Sequence, residues 1–455
     1  MMVIAELDPQ PEPDAPGLTG QIAEWVATAG PPSPRALVWA RHALLDWLGV
    51  TIAGAREPLS AMLRDELAPG GGPCSLIGAG GGADLHTAAL INGAAGHALD
   101  YDDVAQAMEG HPTAPVAPAV LALAEHANAG GAAVLEALVA GVEVECALGL
   151  MTRGAHYAAG FHATGTLGSF GAAAACARLI GLDSGATAAA LGLAASQAAA
   201  LKCNIGTMVK PFHAGKAAAN GLLAARLAAR GFSADPAAIE APQGFMATQC
   251  PDFEPAPFRP DPAAPYQIER TLFKYHAACY STHAAIEAIG QLRREHGVSL
   301  ADLAAMTLRV NPRHLNICNI AEPRTGLQMK FSLRHLAALA LDGVATGALA
   351  TYSDATANEP RYVTARRKIT VAAEAERDRM VTRVEIVLTD GSRLAAEADV
   401  GRPATDLAEQ WRRLADKFAS LAEPVIGQSR AAAIIARIEA LDQADDIGAL
   451  MALTR

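Results

Sequence analysis

A few short stretches of this chain gather residue types that can move protons or hold anions. One is NIGTMVKPFHAGKA at 204–217. Lysine is scarce here: Lys202, Lys210, Lys216, Lys274, Lys330, Lys368 and Lys417 are all there are, and the first three fall within fifteen residues, beside His213. A helix starting near Ala214 would set His213, Lys216 and Asn220 on one face, with Lys210 in the turn before it, held by Pro211. The neighbours are small and apolar, so these lysines read as buried. A buried lysine persists where it meets an anion, either a carboxylate side chain or a bound ligand.

HALDYDDVAQAMEGHPTAP at 97–115 puts Asp100, Asp102 and Asp103 within four residues, ahead of His111. Carboxylates beside a histidine orient it or raise its pKa, which suits general acid–base work. A solvated acidic loop before a helix capped by Thr113 accounts for the same pattern. In GFHATGTLGS at 160–169, His162 precedes a helix entry whose free N–H groups would favour an anion, although an ordinary capped helix start explains it as well. LFKYHAACYSTHAAIEA at 272–288 crowds together Lys274, His276, Cys279, Ser281 and His283. A Cys–His nucleophile there lacks an orienting acid, and zinc lacks a second ligand pair.

The elements that must position these residues follow from the rest of the chain. Its 455 residues exceed one compact core, which sets two domains as the expectation. Hydrophobic residues make up 51% and charged residues 18%, a well-packed globular composition in which Ala and Gly let helices approach closely. Apolar residues recur at helical spacing over 35–54, 134–151, 167–180 and 214–230. The Pro-rich run at 250–266 marks a boundary. Beyond it the pattern is mixed: helices over 282–296 and 331–343, strands over 304–312 and 368–376, and a hairpin over 382–400 turning at Asp390-Gly391. Residues 405–452 return to helix and are expected to pack on the first domain. The fold class expected is mostly α with a smaller α+β domain. A large helical domain takes 1–265 with 401–455, and a lid takes 266–400.

The net charge of −11 and the lack of any basic run exclude a nucleic-acid partner; an anionic substrate would need a local positive pocket. Seven cysteines, none in a CxxC pair, argue against a disulfide framework or structural zinc and for a reducing cytosol. The acidic, Pro-rich start is no secretory signal, and the Ala-rich runs carry polar residues that a membrane span would not. A soluble, cytoplasmic protein is expected.

Taken in order, HALDYDD (97–103), GHPTAP (110–115), GFHATGTLGS (160–169), NIGTMVKPFHAGKAAANG (204–221), KYHAACYSTHAAI (274–286) and EPRTGLQMKFS (322–332) resemble the MmgE/PrpD family over about 18–450. That family includes 2-methylcitrate dehydratase, cis-aconitate decarboxylase and iminodisuccinate epimerase. The resemblance implies a helical domain and an α+β lid, a homodimer, no cofactor or metal, and a small di- or tricarboxylate substrate held between the domains. It implies that Asp100, His111, His162 and Lys210 occupy catalytic positions. Asp103, His213, Lys216, Lys274, Cys279 and His283 are expected to bind substrate. Where the decarboxylase-like members have a threonine four residues after the aspartate, this chain has Val104. Where they have a lid histidine it has Cys279, and where they have a tyrosine it offers Ile317 or Cys318. These differences argue against cis-aconitate decarboxylase.

The family's reactions share the creation or quenching of negative charge on a carbon α to a carboxylate. Histidine supplies the acid–base function and lysine the countercharge. The reading is a hydro-lyase like 2-methylcitrate dehydratase, with His111 or His162 as base and Asp100 orienting His111. An imino- or amino-dicarboxylate epimerase is the alternative, followed by a cis-aconitate decarboxylase, a carboxylate-binding protein without turnover, and a thiol hydrolase through Cys279.

Overall fold

The computed structural model describes residues 16–250, 253, 256–261 and 263–455; the acidic start of the chain and part of the Pro-rich segment lie outside them. The first part of the chain is a bundle of helices. Helix α1 (Pro34–Gly54) starts where the Ser33 side chain accepts the Ala36 N–H and Pro34 fills the first position. Helix α2 (Leu85–His97) starts where Asp84 accepts the N–H groups of His86 and Thr87. Helices α3 (Thr113–Ala127), α4 (Gly131–Thr152), α5 (Ala163–Leu179) and α6 (Val209–Ala228) complete the part of the bundle that matters here.

Helix α6 begins at Val209, five residues ahead of the start expected from the sequence. The Thr207 hydroxyl accepts the Val209 N–H at 3.2 Å, and Pro211 sits in the first turn, where its missing N–H costs nothing. Lys210 therefore lies on the helix rather than in a preceding turn.

Glycine makes the bundle's geometry possible. A Cβ on Gly215 of α6 would lie 2.2 Å from the Leu90 carbonyl oxygen of α2, and one on Gly221 would lie 2.4 Å from the Ala173 nitrogen of α5. Helix α6 thus packs backbone against backbone on both neighbours, antiparallel to α2 and parallel to α5. The end of α2 and the starts of α5 and α6 meet at one end of the bundle, which carries His97, His162 and Lys210 together.

The second part is α+β. Strands β1 (Leu303–Val310), β2 (Ile369–Ala373), β3 (Val381–Leu388) and β4 (Arg393–Asp399) form one sheet in the order β2-β1-β3-β4. β2 runs parallel to β1 (Met306 opposite Ile369), and the other pairs are antiparallel. The β3–β4 hairpin turns at Asp390-Gly391, with Gly391 at φ 87° and Asp390 accepting from Ser392. Met306, Leu308 and Val310 point from β1 into a core shared with helices α7 (His283–His296) and α8 (Leu333–Asp342). Helix α9 (Leu407–Ile426) then returns to the bundle and buries Leu414, Phe418 and Ala422 in the core of the first part. No described helix is long and apolar enough to cross a membrane.

Substituting Gly215→Ala would drive a methyl into the Leu90 carbonyl and push α6 off α2. The expected cost is ~1–3 kcal/mol of stability, read as a lower denaturant midpoint. Gly206→Ala, which meets nothing within 4 Å but has φ 93°, should cost through backbone strain alone and leave the α2–α6 contact intact.

Candidate active site

The loop after α2 carries the charge of the site. Asp100 adopts φ 50°, a left-handed conformation that aspartate tolerates better than most residues. Its Oδ1 receives two ammonium groups, Lys210 Nζ at 2.8 Å and Lys274 Nζ at 2.9 Å, and lies 3.5 Å from His111 Nε2. Lys274 Nζ also donates to the Asp100 carbonyl at 2.6 Å. Lys210 sits in the first turn of α6, where the helix dipole disfavours a cation, and the Asp100 carboxylate compensates. Burial alone would raise the Asp100 pKa, but Lys210, Lys274 and His111 outweigh it and hold the carboxyl well below the usual carboxylate range. The side chain keeps 47% of its surface open although the loop lies deep in the molecule. It is therefore an ionised anion open to solvent rather than sealed in a core.

Asp102 does different work. It is fully buried, and it receives His97 Nδ1 at 2.9 Å and His111 Nδ1 at 3.1 Å, the latter off the line of an ideal hydrogen bond. Burial would raise its pKa, yet the two histidines hold it well below the ordinary value. With both Nδ1 atoms turned to Asp102, both Nε2 atoms are left as the basic nitrogens. The GHP turn is fixed by Thr164 at the start of α5, whose hydroxyl accepts the His111 N–H at 3.1 Å. Burial lowers the His97 pKa to about 4, against the pull of Asp102. His162 caps α5, with its N–H donating to the Ala200 carbonyl, and its Nδ1 lies 3.2 Å from His213 Nδ1. Burial first, then the charges of His97 and Lys210, push His162 down to about 2.

The structure brings Asp100, His111, His162, Lys210, His213 and Lys274 together, keeps Cys279 and His283 close enough to feel the charge of Lys274, and turns Asp103 and Lys216 to other partners. Asp103 is not in a solvated loop. It is buried and accepts the Thr113 hydroxyl at 2.5 Å and the Thr113 N–H at 3.3 Å, so it anchors the start of α3. Lys216 joins neither histidine; its charge is felt at His86, at the far end of α2, because the turn of α6 carries it away from the loop. Asn220, expected on the same face, bonds the Gln197 carbonyl. Cys279 is turned to Cys318, whose hydrogen bond draws the Cys279 thiol pKa down. His283 is buried behind His276 and Tyr280, with Nε2 3.3 Å from the Ala278 carbonyl.

Sequence reasoning did not single out His97 or the role of Asp102, although both stand in the quoted HALDYDD run. Nor did it find the cavity of about 870 Å³ that reaches the cluster at His111. Among the described residues, Arg153, Lys202, Arg313 and Arg379 line it with one carboxylate, Glu109, so a protein of charge −11 presents a cationic cleft there. Val104 and Ile317 line it as well, while Cys318 is buried away from it.

His97, Asp100, Asp102 and His111 offer ligand atoms within 4.8 Å of one another, a spacing that could suit a metal ion. The donor set argues otherwise. Asp100 Oδ1 already carries two ammonium groups, and a dication there would be repelled by both. The countercharge at this site is supplied by lysine.

The depressed histidines make the site sensitive to acid. Below pH 6.5 the unfolded chain takes up a proton at His162 that the native state refuses until about pH 2, so stability is lost as pH falls from 6.5. Between pH 6 and 4 the native protein should lose about 1.4 kcal/mol per pH unit more than the His162→Gln variant. Paired denaturant titrations would measure this, and equal slopes would contradict the depressed pKa.

Comparison with known proteins follows the same outline. The chain is 30% identical over 300 residues to the cis-aconitate decarboxylase-like protein oryM of Aspergillus oryzae, covering 61% of this chain and 62% of that protein. It is 25% identical to human cis-aconitate decarboxylase over 81% of this chain and 79% of the relative. It is 28% identical to the Aspergillus terreus cis-aconitate decarboxylase over 96% of each. Residues 20–257 match the MmgE/PrpD N-terminal domain and residues 276–443 the MmgE/PrpD C-terminal domain. The chain belongs to the MmgE/PrpD family.

Proposed function

We propose that the protein is a metal-independent lyase acting on a small di- or tricarboxylate, a hydro-lyase of the 2-methylcitrate dehydratase kind. The observation that carries this reading is the pair of ammonium groups on Asp100 Oδ1 with His111 Nε2 3.5 Å away. The two ammonium groups offset the charges of Asp100 and Asp102 and stand beside a basic nitrogen. That arrangement holds a substrate carboxylate and stabilises the charge that develops when the neighbouring carbon loses its proton. His111 is the base. Taking the proton at Nε2 makes an imidazolium between Asp100 and Asp102, which stabilise it from both sides. The C–H electron pair becomes the new C=C bond, the C–O bond breaks, and the hydroxyl leaves as water on a proton from an ammonium. His162, held near pKa 2, has no imidazolium proton to give at neutral pH and serves with His213 to wall the site. The lid 266–400 supplies Lys274, and the domain division and cytoplasmic location expected from the sequence, with the homodimer implied by the family resemblance, belong to the same proposal.

The names of the relatives favour a second reading, decarboxylation, in which the same residues stabilise and then protonate the carbanion left by CO₂. Val104 and Ile317 weigh against it, because they give the cavity apolar walls at positions where the decarboxylase-like members are expected to carry hydroxyl groups.

Proton NMR in heavy water decides between them, with 2-methylcitrate, citrate, cis-aconitate, malate-like hydroxy acids and iminodisuccinate offered in turn. Loss of an α-proton signal with a new alkene is the expected result. Release of CO₂ from cis-aconitate would install the decarboxylase, and exchange without an alkene an epimerase. Lys210→Met should lower turnover about 10²–10³-fold with little change in melting temperature. Full activity in that variant would remove lysine from the mechanism.

A further inference from the structure

Lys417 is the last lysine in the chain, on the helix that returns from the lid, and its ammonium is buried in the bundle. Nζ lies 2.6 Å from Asp46 Oδ1 on α1 and 2.8 Å from the Tyr101 carbonyl, and sits 3.9 Å over the Tyr101 ring. Lys417 is 7% exposed and Asp46 2%. Asp46 Oδ2 has no hydrogen-bond partner among the described residues. An ion pair taken so completely out of water is often matched or bettered in stability by apolar residues of the same shape, so stability alone does not account for it.

What the pair does hold is the loop between the two aspartates. Lys274 Nζ takes the carbonyl of Asp100 and Lys417 Nζ the carbonyl of Tyr101, so two successive peptide units are each fixed by an ammonium from a distant part of the chain. The first follows the left-handed Asp100; the second leads into Asp102. The Tyr101 side chain is buried under Lys417, and its hydroxyl donates to the Gly347 carbonyl at 3.2 Å. With both carbonyls pinned, the Asp100 carboxylate turns to Lys210, Lys274 and His111, and the Asp102 carboxylate turns to His97 and His111.

We propose that Lys417 is a positioning residue: its ammonium, anchored by Asp46, holds the Tyr101 peptide so that Asp100 and Asp102 present their carboxylates in two different directions. The catalytic consequence rests on the function proposed above; the geometric one does not.

The test is the double variant Lys417→Met/Asp46→Leu, which removes both charges and fills the space with apolar groups. A merely structural pair would let this variant recover both stability and activity. Positioning predicts a melting temperature close to that of the wild type, with kcat about 10- to 100-fold lower and KM changed far less. It also predicts a crystal structure in which Asp100 has left φ 50° or the Lys210–Asp100 pair has opened beyond hydrogen-bonding distance. A double variant whose 99–103 loop superimposes on the wild type would overturn the proposal. If the wild type turns over none of the panel, the functional reading fails, and the loop geometry still decides this one. Should the double variant not fold, Asp46→Asn decides: it keeps the Lys417–Tyr101 bond and should keep the loop, and a displaced loop with that bond intact would overturn the assignment.

Discussion

Two ammonium groups share one carboxylate oxygen, and the arrangement around the site follows from that constraint. Lys210 and Lys274 stand 2.8 and 2.9 Å from Asp100 Oδ1, one from the start of a bundle helix and the other from the segment that opens the α+β part. Neither position suits a cation alone. The first opposes the helix dipole and the second is almost fully buried. Without the carboxylate the two charges would repel each other in a poorly hydrated place, and the contact between the helical bundle and the α+β part would be pushed apart there. Asp100 in turn holds an uncommon backbone conformation to reach both. Each member is thus costly by itself and acceptable only in the presence of the others.

The second carboxylate separates two tasks that a single aspartate could not perform together. Asp100, half exposed, balances the charge of the lysines; Asp102, in the interior, sets the tautomers of His97 and His111. A base oriented by the same anion that holds the lysines would shift with every change in their position. Dividing the tasks between residues 100 and 102, whose side chains leave the loop in different directions, keeps the imidazole fixed while the ammonium groups adjust to a ligand. The lysines bring positive charge to this loop, and the cavity's arginines extend it toward the surface.

The parts of this site that the sequence reveals are those set by local chemistry. Helix α1 with its Ser33-Pro34 start and the hairpin at Asp390-Gly391 follow from caps and turn residues within a few positions. The stretches at 97–111, 204–217 and 274–276 stand out because charge is sparse in an Ala-rich chain, and 160–169 through its histidine at a helix start. The direction of each side chain does not stand out. Residues 100, 102 and 103 look alike in sequence, yet one faces the lysines, one the histidines and one the start of α3, since a left-handed residue at 100 redirects the chain. Lys216 and His213 are three residues apart on one helix, yet only His213 reaches His162, because α6 is wedged between α2 and α5 and its faces see different neighbours. The cleft's cations come from positions 153, 202, 313 and 379, and Lys417 reaches Tyr101 across 316 residues; no periodicity or spacing encodes such meetings.

That dispersal has a consequence for how the site forms. The bundle contributes Asp100, His111, His162 and Lys210, the start of the α+β part contributes Lys274, and the returning C-terminal helix contributes Lys417. The 97–103 loop is held at one carbonyl by Lys274 and at the next by Lys417, so it has its active geometry only when all three segments have docked. Docking depends on glycine: α6 can bring Lys210 to the loop only because Gly215 lets it touch the α2 backbone. The abundance of small residues and the few buried charges are therefore two sides of one requirement. Helix backbones in contact define positions tightly enough for paired charges to meet at 2.6–2.9 Å, and at that distance the pairing offsets the loss of water that the same close packing imposes.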